Sequence, residues 1–137
     1  MMSRLMAVIL ALGLAAGPVA AQPPASQVVK EKSEVAFREY LKSGNYLAGE
    51  AKYQAAVEAY RKALSINPNS HEAYSLLGAA LAQLGDNREA EAALRKAVTL
   101  KPDYAEGYYH LGHFLKSLNR QAEAEEAFRK ARQYQRR

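Results

Sequence analysis

From Phe37 onward, apolar residues return at spacings of three and four. Leu77, Leu81 and Leu84 form one such run and Ala90, Leu94 and Ala97 the next, which is the stripe of an amphipathic helix. The two runs are separated by Leu84-Gly85-Asp86-Asn87, and the following pair by Leu118-Asn119-Arg120. Gly85 and Asn119 are residue types that accept the left-handed conformation in which helices commonly stop. The pattern therefore predicts helical hairpins joined by short turns.

The hairpins repeat. Tyr, two residues, Leu-Gly, two residues, Leu begins at Tyr74 and again at Tyr108, 34 residues later. Rows of that length fit without a gap as 37–70, 71–104 and 105–137. They align Tyr40 with Tyr74 and Tyr108, Gly44 with Gly78 and Gly112, and Leu47 with Leu81 and Leu115. In the second half of each row Ala56, Ala90 and Ala124 align, then Tyr60, Leu94 and Phe128, then Ala63, Ala97 and Ala131. Pro68 and Pro102 close the first two rows. Small residues at aligned places let two helices approach closely, and the bulky ones fill the gaps between them. The tyrosines aligned at 40, 74 and 108, with Tyr60, are expected in the core.

On these residues the chain resembles the tetratricopeptide repeat family, whose period is 34 residues with W-x2-L-G-x2-Y, A-x3-F and a closing Pro. The resemblance covers residues 37–137. Tyr stands for Trp in all three rows, leucine replaces the second aromatic, Ser43 replaces Leu in row 1, and Arg136 falls where the third proline would be. Ser43 suggests a looser first hairpin. The resemblance implies an all-α, tetratricopeptide-like solenoid of three repeats and six helices, with a concave groove lined by the first helix of each row.

In that frame the groove residues are Arg38, Leu41, Asn45 and Ala48; Glu72, Ser75, Ala79 and Gln83; and Glu106, Tyr109, His113 and Lys116. A peptide or partner helix along this wall would be anchored by Tyr109, with His113 and Lys116 as donors. Family members that hold chaperone C-terminal carboxylates use a clamp of Lys, Asn and Arg. Its positions correspond here to Leu41, Asn45, Leu76, Glu106 and His110, and only Asn45 agrees. Glu106, His110 and His113 lie within about 60° on one helix face, a candidate divalent-metal set without an assignable fourth ligand. The chain has no cysteine, no phosphate-binding glycine loop and no assignable nucleophile–base pair, so no enzyme chemistry and no cofactor is expected.

Residues 1–21 have a short basic start at Arg4, an apolar run from Leu5 to Leu14, Gly17-Pro18 and the small residues Val19-Ala20-Ala21, the layout of a signal peptide cut before Gln22. The rival is a membrane anchor formed by residues 5–21, although that run is short for a spanning helix. Residues 22–33 read as a Pro- and Ser-containing linker, with helix expected from Lys32 or Glu34. The expected location is the bacterial periplasm. The formal net charge is +5, one less without Arg4, and its interleaved charges give no basic block for nucleic acid. Arg129, Lys130, Arg132, Arg136 and Arg137 complement a helix C-terminus or attract an acidic surface such as lipid head groups. The sequence thus points to a non-catalytic adaptor with an unidentified protein or peptide partner, assisting a cell-envelope complex. The alternatives are a self-associating repeat protein, forming a homo-oligomer, and a metal-binding protein.

Overall fold

The computed structural model describes Gly17 and residues 20–136. The expected signal segment therefore lies almost wholly outside the described residues. Six helices follow one another: α1 Ala25–Gly49, α2 Tyr53–Ile66, α3 His71–Leu84, α4 Asn87–Leu100, α5 Ala105–Ser117 and α6 Gln121–Gln135. No strand occurs among the described residues. Rows 1, 2 and 3 are the antiparallel pairs α1/α2, α3/α4 and α5/α6, and each stacks on the next through its neighbouring helices.

Helix α1 begins at Ala25, well before the expected Lys32 or Glu34, so the linker expected over residues 22–33 is mostly helix. Pro23 and Pro24 lie just ahead of the first turn, where a missing N–H removes no helical hydrogen bond. Past them, Gln27 bonds Glu31 at 3.3 Å and Arg38 bonds Glu34 at 3.1 Å across single turns of the helix. No described helix is long and apolar enough to cross a membrane.

Each hairpin turn follows one rule. The N–H of Lys52, Asp86 and Arg120 donates back to the carbonyl of Leu47, Leu81 and Leu115 at 2.8, 3.0 and 3.0 Å. That bond requires a left-handed residue just before the donor. Gly85 (φ 79°) and Asn119 (φ 58°) take this conformation as expected. In row 1 the position is held by Ala51 at φ 57°, where its Cβ crowds the backbone.

Within each hairpin the aligned glycine faces the bulky residue of the second helix. A methyl group on Gly78 would lie 2.6 Å from the Leu94 side chain and 3.1 Å from the Ala90 carbonyl oxygen. Gly44 sits in the same way under Tyr60, and Gly112 under Phe128. The core runs continuously through all three rows and includes Ala56, Tyr60, Leu81, Ala90, Leu94, Leu115 and Ala124.

Packing between rows explains two departures from the repeat. Leu77 and Leu111, on α3 and α5, are buried, whereas the aligned Ser43 is exposed. Row 1 has no row before it among the described residues, so a polar residue there finishes the surface, and the expected loosening of the hairpin is not needed to explain it. Tyr40 is exposed for the same reason, contrary to its expected place in the core, with the Lys62 ammonium 5.8 Å from its ring centre. Tyr108, by contrast, is buried.

Ser75 is fully buried (0% exposed), and its hydroxyl has no hydrogen-bond partner. Burying an unsatisfied hydroxyl costs about 1–3 kcal/mol. Ser75→Ala is therefore expected to stabilise the protein by about 1 kcal/mol, measured by urea unfolding; a loss of stability would show that the hydroxyl is satisfied. Ala51→Gly should add about 1 kcal/mol by relieving the left-handed turn, while the same change at Ala56, inside α2, should destabilise by at least as much.

Candidate functional site

Curvature places the candidate surface. The backbones of α1 and α3, and of α3 and α5, are in contact, whereas α2 and α4, and α4 and α6, do not approach. First helices therefore form the inner side of the bend and second helices the outer side. Long side chains bridge the outer wedge: Arg61 reaches Glu89 at 2.8 Å, and Arg95 reaches Glu123 at 3.3 Å.

The inner wall keeps Arg38, Asn45, Glu72, Gln83, Glu106 and Lys116 exposed and Ala79 and Ala48 half-buried, as the repeat frame expects. Two expected wall residues are mostly or wholly covered. Leu41 is only 7% exposed, and Ser75 is within the core. Both occupy the place on the first helix that the following row covers.

A hollow of about 570 Å³ opens between α1 and α3, lined by Glu34, Phe37, Arg38, Leu41, Lys42, Asn45 and Glu72. Its floor is apolar at Phe37 and Leu41, and its rim carries two cations and two carboxylates. Lys42, one residue beyond Leu41, is a rim residue that the repeat frame does not assign to the wall. The Asn45 side-chain oxygen accepts a 2.8 Å hydrogen bond from the Tyr60 hydroxyl. Asn45 is thus held by α2, and burial pushes the Tyr60 phenol up to about 12.

Tyr109 and His113 lie together at the row 3 end of the wall, both exposed. Their rings pack edge-to-face at 4.4 Å, and His113 meets Phe128 of α6 at 5.0 Å. This aromatic cluster covers the end of row 3. Tyr109 remains 47% exposed there, although the aligned Leu41 and Ser75 are buried. Lys116 lies at the same end.

The candidate metal set does not assemble. His110 Nε2 lies 3.7 Å from Glu106, while His113 turns to Tyr109 and Phe128. No group of three His, Asp or Glu side chains among the described residues could hold an ion. Burial lowers the pKa of His110, against the opposing pull of Glu106, and so favours the neutral ring. With Leu41 buried, Asn45 engaged and an acid at Glu106, the positions matching a carboxylate clamp present no cationic pair.

On the outer side, Arg120 donates to Glu91 at 2.9 Å and to Glu123 at 2.7 Å, tying the start of α6 to α4. Hydrogen bonds from Arg120 hold both carboxyl groups below the usual range.

Comparisons with known proteins agree with this architecture. Family models described as TPR repeat match residues 49–85 and 80–119, and one described as tetratricopeptide repeat matches 105–136. No curated protein matches the sequence. Among solved structures, the Arabidopsis OM64 TPR domain is 26% identical with a TM-score of 0.67, the match covering 72% of this chain and 82% of that one. The TPR2B domain of yeast Sti1, in complex with pHsp70, is 26% identical at a TM-score of 0.69, over 73% and 80% of the two chains. MamA from Desulfovibrio magneticus RS-1 is 26% identical at 0.66, over 73% of this chain and 56% of its own. The repeat matches, extending from the end of α1 through α6, together with the three stacked hairpins, show that this chain belongs to the tetratricopeptide repeat family.

Proposed function

We propose that the protein is a non-catalytic interaction module that holds an extended peptide against its inner wall, seated in the hollow between α1 and α3. The observation that carries this reading is the hollow itself: an apolar floor of Phe37 and Leu41 rimmed by Arg38, Lys42, Asn45 and Glu72. A side chain of the peptide fills the floor, while the rim groups bond its backbone and polar ends. The Sti1 domain in complex with pHsp70 supports peptide capture on this scaffold. The clamp-matching positions Leu41, Asn45, Leu76, Glu106 and His110 carry no cationic pair, which argues against a chaperone-type seat for a terminal carboxylate there.

The place of action we propose is the bacterial periplasm, in assembly of a cell-envelope complex. It rests on the signal-peptide layout of residues 1–21. N-terminal sequencing of the protein recovered from cells should then begin at Gln22, and recovery of a membrane-bound chain retaining Leu5 would favour the anchor instead.

Two variants separate the inner wall from the end of row 3. Capture of a partner from an envelope extract should fall at least tenfold with Arg38→Glu plus Lys42→Glu and persist with Tyr109→Ala plus His113→Ala, both retaining wild-type circular dichroism. The reverse outcome would remove the hollow as the binding seat.

A further inference from the structure

Charge pairs at the junctions between rows repeat in register. Arg61 of row 1 bonds Glu89 of row 2, and the aligned Arg95 of row 2 bonds the aligned Glu123 of row 3. At the second junction a reverse pair is added, with Arg120 of row 3 bonding Glu91 of row 2. The far side of row 3 carries the same two groups again, Glu125 aligned with Glu91 and Arg129 aligned with Arg95. Arg129 bonds Glu126 of its own helix, and no described element lies over this face. Phe128 and Tyr109 occupy the places of Leu94 and Ser75, which are fully buried in row 2, yet Phe128 is only half-buried and Tyr109 is exposed.

We propose that this end face docks a helical hairpin of a partner protein, one that presents a basic residue and, three positions later, a glutamate at the start of its second helix. Arg120 and Glu123 of this chain show the required spacing, because they satisfy Glu91 and Arg95 across the second junction. The partner's first helix supplies an apolar ridge like Gly107, Leu111 and Phe114, which packs on Tyr109 and Phe128. Lys116 stands where row 2 has Ala82, and Arg132 where it has Val98, the residue that faces Gly107 across the second junction, so the docking hairpin meets these two cations with acidic groups.

A second copy of this chain fits poorly. Its row 1 would offer Glu39, Ser43 and Tyr46 in place of the apolar ridge, all three exposed, and Ala55 in place of the pairing glutamate. Head-to-tail stacking would thus bury a carboxylate and leave Arg129 without its acid.

The test uses the full chain and a fluorescent synthetic peptide of residues 105–135, which carries the ridge, Arg120 and Glu123. The peptide is expected to bind, with affinity lowered at least tenfold by Arg129→Glu in the chain and recovered when the peptide carries Glu123→Arg. Glu125→Arg in the chain, answered by Arg120→Glu in the peptide, is an independent second swap. Both chain variants change exposed residues and should retain wild-type helicity. Absence of binding at millimolar peptide, or binding indifferent to both swaps, overturns the proposal. So does a concentration-dependent dimer of the chain alone that Arg129→Glu abolishes, which would assign the face to a second copy.

Discussion

The fit of one large side chain over one bare glycine sets the geometry of every hairpin. Tyr60 over Gly44, Leu94 over Gly78 and Phe128 over Gly112 bring the paired helices so close that an added methyl group would collide. Because the same fit recurs three times in one register, each hairpin presents nearly the same shape to the next, and stacking becomes a repeated operation rather than three separate packing solutions. The short turns follow from it, since helices held this close must be joined through a left-handed residue.

Stacking hairpins whose first helices touch and whose second helices diverge produces curvature, and the two sides acquire different chemistry. The inner side is continuous backbone with a wall of mixed polarity. On the outer side the second helices stand apart, and arginine–glutamate pairs bridge them. Such exposed pairs contribute little stability individually. Their value lies in register, since an arginine pairs with a glutamate only when the next hairpin is neither slipped nor rotated. The hollow between α1 and α3 depends on that register, because its rim is drawn from two different rows.

Much of this architecture was legible in the sequence. The alignment of Gly44, Gly78 and Gly112 set the frame, and Gly85 and Asn119 marked two turns correctly. Ala51 was not legible, because nothing in an alanine announces a left-handed conformation; only its alignment with Gly85 and Asn119 does. Helix α1 was read as starting late because Pro23, Pro24 and Ser26 suggested a linker, whereas prolines immediately before a helix are compatible with its first turn. The wall residues were legible only in part. Leu41, Ser75 and Tyr109 share one frame position, yet the first two are buried by the next row and the third has no such cover among the described residues. A single-row pattern carries no information about the neighbour, and the same omission misjudged Ser43 and Tyr40.

Helix α1 projects twelve residues, 25–36, ahead of the first repeat as one unbroken rod. At 1.5 Å per residue that is about 18 Å of lever arm. Because the rod is continuous with the helix that lines the hollow, torque applied near Ala25 turns Arg38 and Lys42 with it. Whatever grips the base of that rod thereby aims the solenoid, fixing which direction its inner wall faces.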